Sequence, residues 1–265
     1  MNLLPDLPGG KEWLAVGAGE SGDEVYRRSD GVAFAKVTTR KGAALLEGER
    51  RRVEWLAMSG LGSPRVLDWV ASDRGACLVT SAVPGVPAAH LAAQDLSKAW
   101  PSIAEQIWRL HSVPAGDCPF ERSLATMFDR AADVVARHAV NPNFLAPERR
   151  NIPPTTLLDA LRTELPERLT QERHDLVVCH GDACLPNLMV DPETLRCTGL
   201  IDLGRLGTAD RYVDLALLIA NASEHWTGPE QAQAANDRLF EIHAIAVPDK
   251  SRLDFYLRLD PLTWG

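Results

Sequence analysis

At 265 residues the chain is long enough for two lobes and at least one sizeable core. Its 45% hydrophobic and 24% charged content is ordinary for a globular protein, and no stretch reaches the roughly 18 apolar residues a membrane helix requires. With 28 Lys and Arg against 36 Asp and Glu, the formal charge of −8 argues against a nucleic-acid partner, whose phosphates want a basic footprint.

The same charge suits a cationic small molecule, although it also serves solubility alone. The first residues have no basic region followed by an apolar run, so no secretory signal is expected and the cytoplasm is the expected location. Five cysteines, an odd number without a C-x-x-C, indicate neither a disulfide framework nor a zinc site.

Residues 13–38 predict three antiparallel strands, with Asp30-Gly31 as a hairpin turn. The first turn carries Gly17, Gly19 and Gly22, so backbone amides there can approach phosphate; Ser21 and Gly22 are its candidate nucleotide-binding residues. Lys36 lies on the third strand in Phe34-Ala35-Lys36-Val37, a fair match to the kinase V-A-I-K pattern. A buried lysine needs a counter-charge and a polyanion; a solvated edge-strand lysine is the alternative. Residues 43–58 read as a helix. Glu49 is the preferred counter-ion for Lys36 over Glu47 and Glu54 because it stands before Val53-Glu54-Trp55-Leu56, resembling the placement of the pairing acid in small-molecule kinases.

Two more strands are expected at 66–70 and 76–81, followed by the Pro/Gly-rich stretch 82–87, which reads as a hinge. Backbone groups of Ser81 and Val83 are placed there to meet an adenine edge. Beyond the hinge the pattern turns helical, with helices predicted at 101–113, 124–138 and 156–169. The intervening stretch with Pro142, Pro147, Pro153 and Pro154 reads as loop.

The centre of the chemistry is 176–214. Two apolar runs each lead into a carboxylate, giving His180-Gly181-Asp182 and Asp202-Leu203-Gly204, with Asn187 five positions after Asp182. Asp182 at a strand end can accept a proton from an incoming hydroxyl. The amide oxygen of Asn187 and the carboxylate of Asp202 are hard ligands suited to Mg²⁺. The kinase pattern H-R-D-x-x-x-x-N followed by D-F-G has the same spacing; here Gly181 replaces the Arg and Leu203 the Phe. Helices are predicted again at 212–221, 229–245 and 250–259.

On these motifs the sequence resembles the aminoglycoside phosphotransferases, over almost its whole length. The stretch from Val178 to Asp182 and Asn187, and that from Gly199 to Tyr212, carry most of the likeness. Within the family it looks most like the branch acting on the 3'' position of streptomycin, through residues 19–23, 83–88, 118–122 and 256–265. The resemblance implies an α+β, protein-kinase-like two-lobed fold: an N-terminal antiparallel sheet with one main helix (1–82), a hinge (83–87), and a larger, mostly helical C-terminal lobe (88–265). It implies Asp182 as catalytic base or hydroxyl-orienting group, Asn187 and Asp202 on two Mg²⁺ ions, and Lys36 with Glu49 on the α- and β-phosphates of ATP. It further implies Arg205 at the γ-phosphate or bracing the loop, Asp214 bracing the catalytic loop, and Asp260 and Glu224 receiving the cationic drug. ATP and streptomycin are then the partners, with no nucleic acid or membrane, in a monomer or homodimer. Other kinases of this fold, acting on macrolides, homoserine or choline, and a nucleotide-binding pseudokinase are the competing readings.

Overall fold

The computed structural model describes residues 12–18 and 23–265. The candidate phosphate-turn residues Ser21 and Gly22 lie outside them. The chain divides into two compact units, one of residues 1–86 with 187–204 and one of 87–186 with 205–265.

In the first unit, strands β1 (Trp13–Ala18), β2 (Glu24–Arg28) and β3 (Ala33–Thr39) are followed by helix α1 (Ala43–Ala57) and strands β4 (Val66–Ala71) and β5 (Gly75–Ser81). They form an antiparallel sheet in the order β1-β2-β3-β5-β4. The period-2 alternation of β3 sends Ala33, Ala35 and Val37 to one face, where they pack with Cys77, Val79, Trp13 and Tyr26. On the other face Ala76 and Leu78 pack with Leu46 of α1. Lys36 pairs in register with Leu78 and therefore shares the helix-covered face. A two-residue strand, β6 (Val86–Pro87), follows where the first unit gives way to the second.

The second unit is mostly helical, as expected. Helices α2 (Ala93–His111), α3 (Leu124–Ala136) and α4 (Pro154–His174) lead to strand β7 (Leu176–Cys179). The chain then returns to the first unit for a hairpin of β8 (Leu188–Val190) and β9 (Cys197–Leu200). Back in the second unit come β10 (Gly207–Asp210), α5 (Tyr212–Ser223), α6 (Pro229–Ile242) and α7 (Lys250–Leu259). β10 pairs antiparallel with β7. Their inward side chains, Val177, Cys179 and Ala209, join a core fed by α3, α4, α5 and α7 through Phe128, Leu161, Val213 and Phe255.

Some boundaries differ from the sequence reading. Helix α2 starts at Ala93, so Pro101, a favoured first position, sits in its interior. Proline there forgoes one backbone hydrogen bond, which the burial of Leu96, Ala99, Trp100 and Ile103 offsets. Helix α4 runs from Pro154 to His174, longer at both ends than expected. Helix α6 stops at Ile242 rather than at 245: Ala244 turns left-handed at φ 53°, and the Ile245 amide reaches back to the Phe240 carbonyl at 2.9 Å. The proline-rich loop contains two 3₁₀ turns, Pro142–Phe144 and Pro147–Arg149. Among the described residues no helix is long and apolar enough to cross a membrane.

Candidate active site

In the first unit, Leu46, Val53 and Leu56 make the buried stripe of α1, and Glu49 falls on that stripe, one turn after Leu46. It faces Lys36, whose Nζ lies 2.9 and 2.8 Å from its two carboxylate oxygens. Glu47 and Glu54 lie on the outer surface and pair with Arg50. The same Nζ lies 3.0 Å from Oδ1 of Asp202. Burial works to lower the Lys36 pKa, but Glu49 and Asp202 outweigh it and hold the ammonium above its ordinary value. Lys36 is therefore a fixed cation at neutral pH.

Asn187 immediately precedes β8 and Asp202 follows β9, so the antiparallel hairpin brings the two to one end. The Ile201 amide donates to the Asn187 carbonyl at 3.0 Å and fixes that end. Asp202 has φ 57°, a left-handed backbone unusual for a residue other than glycine, and its side chain is 50% exposed. A strained, half-exposed carboxylate beside a 9%-exposed asparagine offers two hard oxygen donors, the chemistry Mg²⁺ selects.

In the second unit, β7 ends at Cys179 and the chain turns through His180-Gly181-Asp182. Asp214, fully buried on α5, accepts the His180 amide at 2.7 Å and the Gly181 amide at 2.8 Å. His111 Nε2 lies 3.0 Å from the same carboxylate. Burial alone would raise the Asp214 pKa; the hydrogen bonds and charge of its partners outweigh it and hold the group below its usual range. Within the loop the Asp182 amide donates to His180 Nδ1 at 3.2 Å, the Cys184 amide to the Asp182 carbonyl at 2.8 Å, and the Cys184 thiol to Asp182 Oδ1 at 3.4 Å. Farther on, Asn221 Oδ1 accepts the Leu185 amide at 2.8 Å. The Asp182 loop is thus held by α5 at both ends.

The chain passes from the second unit to the first between Pro186 and Asn187, and returns between Gly204 and Arg205. Asp182 and Asn187 flank the first passage; Asp202 and Arg205 flank the second. Arg205 Nη1 donates to Asp260 Oδ1 at 2.9 Å, and its guanidinium stacks 3.4 Å from the Trp264 ring centroid. Trp264 Nε1 donates to the other Asp260 oxygen at 3.0 Å. Asp260 is consequently engaged by protein cations and an indole, whereas Glu224 caps the C-terminus of α5 and is exposed. The Ser81 amide donates to the Arg65 carbonyl at 2.8 Å, and Val83 is buried. The sequence reading gave no role to Asn221, Arg122 or Trp264. Each acts through a partner at least 36 positions away or across elements, where local spacing carries no signal.

Residues 12–256 match a family model described as the phosphotransferase enzyme family. Streptomycin 3''-kinase of Streptomyces griseus is 55% identical over 99% of this chain and 97% of its own length. Aminoglycoside 3'-phosphotransferase of Streptomyces fradiae is 38% identical over 94% of each. Aminoglycoside phosphotransferase APH(3'')-Id of Streptomyces rimosus, solved in complex with ADP and streptomycin, superimposes with a TM-score of 0.92 at 48% identity, covering 97% of this chain and 95% of that one. The α+β, kinase-like fold expected from the sequence is the fold of these relatives. This chain belongs to the aminoglycoside phosphotransferase family.

Proposed function

We propose that this enzyme transfers the γ-phosphoryl group of ATP to the 3'' hydroxyl of streptomycin, inactivating the drug and conferring resistance. The observation that carries this reading is the Asp182 loop, pinned through two backbone amides to the buried Asp214, in a chain 55% identical to a streptomycin 3''-kinase. Asp182 takes the proton of the drug hydroxyl as its oxygen bonds to the γ-phosphorus and the bond to the β–γ bridging oxygen breaks; ADP and a phosphate ester leave. Lys36, fixed by Glu49, meets the α- and β-phosphates, with Ser21 and Gly22 of the glycine turn beside them and the backbone of Ser81 and Val83 at the adenine. Asn187 and Asp202 would hold Mg²⁺, two ions in the presence of ATP, which neutralises phosphate oxygens when bound. Asp214 holds the loop still, so the hydroxyl meets a preorganised acceptor.

Drug recognition calls for carboxylates that face the guanidinium groups of streptomycin. Asp260 and Glu224 are assigned that part. Asp260 is paired with Arg205, so a drug cation would compete with that guanidinium for its carboxylate. Arg205 is assigned to the γ-phosphate or to bracing the loop.

The test is transfer from labelled ATP to streptomycin, with mass and NMR analysis of the product. A phosphate on the 3'' hydroxyl is expected. Turnover of choline, homoserine, a macrolide or a 3'-hydroxylated aminoglycoside without turnover of streptomycin moves the enzyme to another substrate. ATP consumption indifferent to every acceptor leaves it a nucleotide-binding protein.

A further inference from the structure

We propose that Arg122 is a positioning residue of the Asp182 loop, supplying from the segment ahead of α3 the cation that the kinase H-R-D pattern carries where this chain has Gly181. The inference rests on the assignment of Asp182 made above. The backbone places Arg122 beside the loop. Its amide donates to the Thr208 carbonyl at 2.9 Å, the Thr208 amide donates to the Phe120 carbonyl at 2.8 Å, and Glu121 bridges Thr208 in parallel register. Thr208 lies on β10, whose Gly207 pairs with Cys179, the last residue before the loop. Residue 122 is therefore in register with the loop through two strands.

The side chain fills the space that Gly181 leaves open. A Cβ on Gly181 would stand 2.7 Å from Arg122 Cδ and 2.8 Å from its Nε. The side chain is 14% exposed, and Nη2 lies 3.7 Å from Asp260 Oδ1, an ion pair too long for a hydrogen bond. Among the described residues Nε and Nη2 have no hydrogen-bond partner. Burial and the neighbouring Arg205 lower the guanidinium pKa to about 10, while Asp260, Asp182 and Asp214 favour its charge. The group is thus a cation at neutral pH with Nε and Nη2 buried and without hydrogen bonds, which is unfavourable for folding. What it provides in exchange is a positive field on the carboxylates of Asp182 and Asp214 and a steric wall behind Gly181. Both act on where Asp182 points.

The experiment compares Arg122→Met, which keeps bulk without charge, with Arg122→Lys, which keeps charge. Expected for Arg122→Met is a kcat about 100-fold lower, with KM for ATP and streptomycin and the affinity for ADP within about threefold of wild type. Arg122→Lys should recover at least tenfold of that loss. Wild-type kcat in Arg122→Met, or equal losses in both variants with KM rising in step, overturns the proposal. If Arg122→Met does not fold, Arg122→Gln takes its place against the same Lys variant. A wild-type enzyme inert toward streptomycin refutes the substrate reading instead, and the comparison is then made on the aminoglycoside it accepts.

Discussion

One oxygen of the Asp214 carboxylate lies 2.8 Å from the backbone nitrogen of Gly181. The other oxygen takes the His180 amide and faces His111, so a single buried anion satisfies three donors around the start of the catalytic loop. Asparagine at this position has one acceptor oxygen and an NH₂ group that must oppose a donor. Asp214→Asn is expected to lower the unfolding free energy by about 3 kcal/mol in urea titrations, the scale of breaking a buried charged pair. The loosened loop should also lower kcat by about 100-fold, with ADP affinity preserved. A variant of wild-type stability and rate refutes the bracing role.

Lys36 draws its position from Glu49 and Asp202 together. Glu49→Gln keeps the shape of the acid but leaves Asp202 as the lysine's charged partner. The ammonium is then held by one carboxylate instead of two and is less firmly placed for the phosphates. KM for ATP is expected to rise about tenfold, the scale of one charge-assisted hydrogen bond, with a smaller effect on the KM for the drug. Steady-state kinetics with each substrate varied in turn checks this; an unchanged KM for ATP removes Glu49 from nucleotide binding.

The arrangement in the first unit was legible because its cues are local. Leu46, Val53 and Leu56 repeat at helical spacing, and Glu49 stands just before Val53-Glu54-Trp55-Leu56 as the pairing acid does in small-molecule kinases; the structure puts it on the buried stripe, facing Lys36. Asp202 was legible because a short apolar run leads into it, and Asn187 because it stands five positions after Asp182 in a kinase-like spacing; the β8–β9 hairpin that joins them was not legible. Asp260 was legible only as an acid near the C-terminus. Its partners, Arg205 at 55 positions' distance and Arg122, meet it through tertiary packing that no periodicity records. The interior proline of α2 misled the boundary for a related reason. A proline is judged by its own preference, whereas the burial of Leu96 and Trp100 decided that the helix continues through it.

Gly181 has φ 80°, in the left-handed region that disfavours a side chain, and a Cβ there would collide with the Arg205 carbonyl as well as with Arg122. Gly181→Ala is expected to cost about 1–3 kcal/mol in stability from backbone strain. Because the strain sits one residue from Asp182, kcat should fall by more than tenfold even where the protein remains folded. Thermal melts and steady-state rates measured on one preparation check both. An alanine enzyme with wild-type kcat contradicts the close fit of the loop.

His243 is 3% exposed, and its ring lies 5.2 Å from that of His111, edge to face. Burial, then the charges of His111 and Arg211, push its pKa down from 6.5 to about 3, against the upward pull of the Ala104 carbonyl and Asp214. The folded protein therefore keeps His243 neutral at pH values where the unfolded chain protonates it. The stability that follows is fully present above about pH 6.5 and is lost as pH falls toward about 3, with a slope of up to about 1.4 kcal/mol per pH unit. His243→Phe preserves the aromatic packing and removes the titration. Its unfolding free energy, measured by urea denaturation at pH 6, 5 and 4, should fall about 1 kcal/mol per pH unit less steeply than that of wild type, whatever the offset between the two proteins. Parallel curves would mean that His243 takes up its proton in the folded state as readily as in the unfolded one.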